Sequence, residues 1–168
     1  MDRRKPYDSA ETPLHCGLGV LLLFTCGLGA QTVQIVDAEG HSATVTATQM
    51  AKAPRITVRV NDHDTPAVLE GASLAAILSL GGIQLGDTLR GPRMSEALLA
   101  EASDGYKVVF ALAELDPVFA TRDIILADTR DGKPLEAKEG PFRIVAPGDK
   151  RPARWIRQVT TLRIVTVK

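Results

Sequence analysis

Sulfur chemistry is almost absent from this chain. Its 168 residues include two cysteines, Cys16 and Cys26, and none follows residue 26. A domain built from residues 31–168 therefore has no disulfide and no thiolate ligand, and its stability must come from an ordinary packed core. Net charge is missing as well, since 20 Lys and Arg balance 20 Asp and Glu. A neutral total argues against a dedicated nucleic-acid binder, whose affinity rests mainly on neutralising phosphates. Aromatic residues make up only 4%, and Trp155 is the single tryptophan. The chain carries no G-x-S-x-G, no P-loop and no G-x-G-x-x-G, and nothing in it nominates a nucleophile. Internal repeats and low-complexity stretches are also lacking. What is present, 45% hydrophobic and 24% charged residues, fits one globular domain.

The N-terminal end reads as a leader. Arg3, Arg4 and Lys5 precede the apolar stretch LHCGLGVLLLFTCGLGA (Leu14–Ala30), which closes in small residues. This basic-then-apolar order is that of a secretory signal, and the stretch is too short and too glycine-rich for a stable membrane span. Cleavage after Ala30 is expected, leaving a single domain at 31–168 that is periplasmic or secreted, with no stable span once the leader is gone. An uncleaved anchor and a lipid-modified Cys26 are the alternatives. Thr25 fits the second poorly, because the residue before such a cysteine is normally small. Arg3-Arg4 is followed by Lys5-Pro6 and not by the apolar pair of the twin-arginine route. The Val20–Phe24 core instead suits general secretion of an unfolded chain, which cannot carry a preassembled cofactor.

From Gln31 onward the pattern is mostly that of strands. TVQIV (Thr32–Val36) and the Thr- and Val-rich Ser42–Thr48 flank a turn at 37–40, which predicts a hairpin. Thr48 is expected to cap a short helix, Gln49–Ala53, stopped by Pro54. RITVRV (Arg55–Val60) alternates cleanly, with Ile56, Val58 and Val60 on one face, and a short strand near Ala67–Leu69 would pair with it. Gly71 breaks the chain before SLAAILSL, where Ser73 caps a helix running to Leu80 and Gly81-Gly82 end it. MSEALLAEA (Met94–Ala102) is helical by propensity. Tyr106–Leu112, Ile124–Ala127, Phe142–Ala146 and Gln158–Val167 read as strands, with a helical turn at Ala113–Asp116 and a hairpin signal at Asp131-Gly132. Strands and helices do not alternate regularly, so the fold class is α+β with mainly antiparallel pairing and a few short helices.

Charge is zero overall but not locally. Between Val145 and Lys168 six Lys and Arg face one acid, Asp149. Lys150, Arg151, Arg154 and Arg157 cluster around Trp155. Guanidinium forks suit phosphate oxygens, and an indole offers a flat face to a ring or to an arginine, so the segment is a candidate anion site. The competing reading is a solvated basic rim with Trp155 plugging the core beneath it. If residues 154–157 are extended, period two puts Trp155 and Arg157 on one face and Arg154 and Ile156 on the other, so the cations cannot all converge. Asp104-Gly105-Tyr106 is a turn into a strand and supplies Tyr106, the one hydroxyl-bearing aromatic after residue 30. Asn61-Asp62-His63-Asp64 groups two carboxylates and an imidazole, yet no further donor has metal-site spacing, so an exposed turn is the better reading. No catalytic and no metal-binding residue is assigned.

GPFRIVAPGDKRPARWIRQVTTLRIV (Gly140–Val165), with DGY (Asp104–Tyr106), ALAEL (Ala111–Leu115) and ILADTRDGKPL (Ile125–Leu135) upstream, resembles the molybdopterin-binding oxidoreductase domain of the sulfite-oxidase type. The resemblance spans roughly Thr44 to the C-terminus and rests on the ordered set of motifs. It implies the α+β fold of that family. It also implies molybdopterin as the cofactor, with Lys150, Arg151, Arg154, Trp155, Arg157 and Tyr106 near the pterin and its phosphate, and a redox partner protein for the electrons. One departure stands against a catalytic role. The family's metal-binding cysteine follows or ends the strand matching Arg55–Val60, where this chain reads Arg59-Val60-Asn61-Asp62. Molybdenum takes a soft, deprotonated sulfur ligand, which neither Val60 nor Asn61 provides. The alternative expectation is a non-catalytic extracytoplasmic relative that has lost the cofactor and serves as a ligand- or protein-binding module.

Overall fold

The computed structural model describes residues 31–167. The expected leader and its cleavage point lie outside the described residues. Among the described residues ten strands run in the order β1 (Thr32–Val36), β2 (Ser42–Thr46), β3 (Arg55–Asp62), β4 (Thr65–Ser73), β5 (Glu96–Ala102), β6 (Lys107–Ala111), β7 (Ile125–Arg130), β8 (Lys133–Pro134), β9 (Arg143–Val145) and β10 (Val159–Thr166). Three short helices interrupt them: α1 (Ala47–Met50), α2 (Leu74–Leu80) and α3 (Leu112–Leu115).

The strands form two sheets. One has the order β2-β1-β10-β5-β6; the other runs β3-β4-β7-β8, with β9 also paired to β7. Every pairing is antiparallel except β1 with β10. One hydrophobic cluster draws on both sheets and on α2: Val33, Ile35, Leu98 and Leu162 from the first, Leu69, Ile125 and Ile144 from the second, and Leu74, Ile77 and Leu78 from the helix. That arrangement is α+β with mainly antiparallel sheet, the expected class.

Local chemistry explains most element ends. Ser73 accepts a hydrogen bond from the Ala76 amide and caps α2, as expected. The first helix starts earlier than its sequence suggested. Thr46, not Thr48, is the cap: its Oγ1 accepts from the Gln49 amide, while the Gln49 side chain accepts from the Thr46 amide. This reciprocal box satisfies two orphan donors, which Thr48 had no partner to match. Gly71 lies inside β4 and does not merely precede α2. A Cβ there would collide with the Leu126 carbonyl oxygen, where the β4–β7 register shifts at a bulge.

The largest correction concerns Met94–Ala102, expected as a helix. Gly91–Ser95 forms a single 3-10 turn and Glu96–Ala102 is a strand between β10 and β6. Leu98, Ala100 and Ala102 face the core, and Glu101 on the opposite face meets Lys107 at 3.4 Å and Arg163 at 3.7 Å. Alanine and leucine favour a helix in isolation, but a central position between two strands overrides that preference.

Candidate functional site: a cation-rimmed cleft

Two hairpin turns and one irregular segment converge on a cleft of about 1100 Å³. The β3–β4 turn contributes Asn61, His63 and Asp64, and the β5–β6 turn contributes Ala102, Asp104 and Tyr106. Lys138 comes from the loop before β9, and residues 150–153 and 155–158 line the rest. The cleft thus draws one wall from each sheet.

Each wall is set by turn chemistry. Asp62 pairs with Thr65, so His63 and Asp64 form a two-residue turn, with φ of 50° and 64°. Positive φ at both positions is the twist-matched hairpin solution, and Asp is one of the residues that tolerates it. In the opposite turn the Asp104 carboxylate accepts from the Tyr106 amide at 2.9 Å, and Gly105 takes φ of 84°. The Tyr106 hydroxyl donates to the Ala153 carbonyl at 2.9 Å, tying that turn to the basic segment.

The floor is apolar. Ala102, Trp155 and Ile156 are buried beneath the polar rim, and the Trp155 indole donates to the Ala146 carbonyl at 2.9 Å. Under the floor lies an ion network. Arg143, only 2% exposed, donates to both Asp62 oxygens at 2.7 and 3.0 Å, and Arg130 reaches Asp62 at 2.8 Å. Glu139 accepts from both arginines, and the Arg143 guanidinium lies 5.7 Å from the Trp155 ring centroid. The Arg143 hydrogen bonds, with those of Arg130, outweigh desolvation and hold the Asp62 carboxyl down to about 2. Asp62 is therefore committed to structure, and the 61–64 group is a hairpin turn with one residue locked inward.

The rim is cationic. Lys138, Lys150, Arg151 and Arg157 line the cleft against the carboxylates of Asp64 and Asp104, with His63 beside them. Among the described residues Lys150, Arg151 and Arg157 make no ion pair, whereas Lys138 meets Glu136 at 2.9 Å. Unpaired cations gathered over a concave apolar floor are an arrangement an anion can complete.

The structure brings together five of the six residues singled out from sequence: Lys150, Arg151, Trp155, Arg157 and Tyr106 all line the cleft. Arg154 does not. Its Nε and Nη2 donate to Asp149 at 2.9 and 2.8 Å, its Nη1 donates to Glu114 at 3.0 Å, and it lies 4.7 Å from the Phe110 ring centroid. Hydrogen bonding to Asp149, reinforced by Glu114, raises its pKa further. Residues 154–157 are not a regular extended run: a 3-10 turn at Pro152–Arg154 leaves Trp155 and Ile156 both buried and Arg157 exposed. Sequence reasoning had no signal for Lys138 at this cleft and read Asn61, His63 and Asp64 as an exposed turn, with only the resemblance setting the end of that strand near a cofactor; their approach to the basic segment depends on how the two sheets pack.

A second cluster brings Asp37, Glu39 and His41 oxygen and nitrogen atoms within 4.8 Å of one another. Asp37 already accepts from the His41 ring at 2.8 Å and from two backbone amides, which is the chemistry of an exposed turn.

Comparison with known proteins adds the fold. No family model matches the chain, and no curated protein does. Among solved structures, the crystal structure of the sulfane dehydrogenase SoxCD from Paracoccus pantotrophus superposes with a TM-score of 0.61 at 17% identity. The two chains share a fold. The match covers 80% of this chain and 38% of that one, and at this identity it speaks to fold alone. The expected class, α+β with mainly antiparallel sheet, is thus the architecture this chain adopts, and that sulfane dehydrogenase shares the fold. Among the described residues no helix is long and apolar enough to cross a membrane.

Proposed function

We propose that this domain binds molybdopterin, or an anionic ligand of similar charge, in the cleft between the β3–β4 and β5–β6 turns. The observation that carries this reading is the trio of cations Lys150, Arg151 and Arg157, without ion-pair partners among the described residues, over the buried Trp155 floor. The phosphate end of a pterin fits that rim chemically, because guanidinium and ammonium donors match phosphate oxygens. The metal of such a cofactor does not fit. The strand that would present its cysteine ends in Asn61, an amide at the cleft, and Asp62, which two arginines already hold. No step of a reaction is assigned to a metal here. The site reads as one for an organic anion, with the alternative of a cofactor-free relative that uses the same cleft to hold a small anion or a protein carboxylate.

A periplasmic or secreted location follows from the basic-then-apolar leader, and a redox partner protein belongs to the cofactor-bound reading. The deciding experiment is the pterin, molybdenum and tungsten content of the protein purified from a host that makes the cofactor, together with calorimetric titration of inorganic pyrophosphate. Pterin without metal, or pyrophosphate binding to the cofactor-free protein, is the expected result. Stoichiometric metal would overturn the metal-free reading. Absence of both pterin and pyrophosphate binding would sink the anion site.

A further inference from the structure

Gln158 ties the β5–β6 turn to the loop that carries Lys138, and its backbone is unusual. It has φ of 50° without being glycine. Left-handed backbone at an ordinary side chain persists only where surrounding contacts over-determine it, and such sites concentrate at binding and switching positions. Four hydrogen bonds do so here. The Gln158 amide donates to the Glu139 carbonyl at 2.9 Å, and the Gln158 carbonyl accepts from the Ser103 amide at 3.0 Å. Its side-chain oxygen accepts from the Ser103 hydroxyl at 2.9 Å, and its side-chain nitrogen donates to the Ala137 carbonyl at 2.8 Å. Ser103 sits in the β5–β6 turn beside Asp104 and Tyr106, and residues 137 and 139 flank Lys138.

The left-handed turn also decides where Arg157 points. β10 begins at Val159, whose side chain is buried at 1% exposure. Were the strand's two-residue alternation to continue back through 158, residue 157 would share the face of Val159 and meet the core. The break at Gln158 turns Arg157 outward instead, and it lines the cleft as an exposed residue. We propose that Gln158 is the positioning residue of the anion cleft, aiming Arg157 into it and fixing the spacing between the Lys138 wall and the Asp104–Tyr106 wall. This rests on the anion-site reading for its functional meaning, but its geometric part is testable without any ligand.

The test uses Gln158→Gly, which accepts the positive φ while deleting both side-chain bonds, and Gln158→Asn, which tolerates the same backbone and keeps an amide. Hydrogen exchange should speed up at residues 103–106 and 137–140 in the glycine variant and much less in the asparagine variant. If exchange in those two segments is unchanged, the positioning role is wrong, whatever the protein binds. Calorimetry with inorganic pyrophosphate supplies the second arm. Gln158→Gly should weaken binding about tenfold through lost preorganisation. Added to Arg157→Ala it should weaken it by much less than tenfold, because the two changes share the Arg157 contribution. Fully additive losses in the double variant would overturn the link to Arg157. Failure of the parent protein to bind pyrophosphate counts against the anion site, and the exchange result still decides the role of Gln158.

Discussion

Arg154 and Arg157 lie in the same basic segment, yet their surroundings assign them opposite duties, and exchanging each for alanine separates the two. Arg154 holds Asp149 through two donors, reaches Glu114 at 3.0 Å and stacks on Phe110. Its side chain is 32% exposed, so solvent screens these pairs. About 0.5 kcal/mol for each ion pair and a similar amount for the ring contact give a loss of about 1.5 kcal/mol. For a domain of this size that lowers the melting temperature by roughly 5 °C. Arg157 has no ion-pair partner among the described residues, so its removal should leave stability within about 0.5 kcal/mol. Removing a charge-assisted donor to a bound anion, in contrast, forfeits about 1.5–3 kcal/mol, roughly ten- to a hundredfold in affinity.

The assay is a thermal melt and a pyrophosphate titration on both variants. Arg154→Ala should melt early and bind nearly as the parent does; Arg157→Ala should melt normally and bind weakly. If Arg154→Ala weakens binding as much as Arg157→Ala while melting unchanged, the carboxylate pairing that removes Arg154 from the cleft has no energetic content. An Arg157-centred site would then be ruled out with it.

Two further perturbations probe the frame of the cleft. The Asp62 carboxyl, held at about 2 by Arg143 and Arg130, contributes stability that is complete above the ordinary carboxylate pKa and lost as pH falls from about 4 through 2. Denaturant unfolding across that range should lose about 2 kcal/mol, a loss absent in Asp62→Asn, which is also less stable at neutral pH; an identical acid profile in both proteins would show that Asp62 is not the group responsible. Gly71→Ala should destabilise by about 3 kcal/mol, because the new Cβ meets backbone at Leu126 rather than a side chain that can move aside; a melting temperature equal to the parent's would mean the β4–β7 bulge relaxes freely.

Sequence patterning exposed some of this architecture and hid the rest for identifiable reasons. RITVRV alternated, Asp131-Gly132 marked a hairpin, and SLAAILSL carried its own cap, so β3, the β7–β8 turn and α2 were legible from local chemistry alone. β5 was not, since EALLAEA has helical propensity and becomes a strand only through β6 and β10 on either side. One trace of the truth was available: Glu101 and Lys107 flank the DGY turn at positions that pair across a hairpin. The basic segment was visible as a run of charge, but charge counts cannot tell a paired arginine from a free one. Asp149 and Glu114 claim Arg154 through contacts 5 and 40 residues away, and only the fold reveals them.

The end of β3 supplies a last test, one that needs no ligand. Asn61 opens on the cleft, and Asp62 turns inward to Arg143. A cysteine at these two positions would have opposite consequences. At residue 62 it would leave the buried Arg143 without the carboxylate that it bonds twice and with Glu139 alone at 3.2 Å, a loss of about 3 kcal/mol. At residue 61 it would sit in the cleft lined by Lys150, Arg151 and Arg157. Cations near a thiol favour the thiolate and lower its pKa from about 8.5. In the chain without residues 1–30, which has no other cysteine, Asn61→Cys should therefore react with an uncharged disulfide reagent at a rate whose pH midpoint falls below that value, and the shift should shrink as salt is added. A midpoint at or above about 8.5 at low salt would mean the rim cations exert no net positive potential on the cleft. The anion-binding reading would then lose its physical basis, since the same potential that stabilises a thiolate at residue 61 must attract any anion the cleft holds.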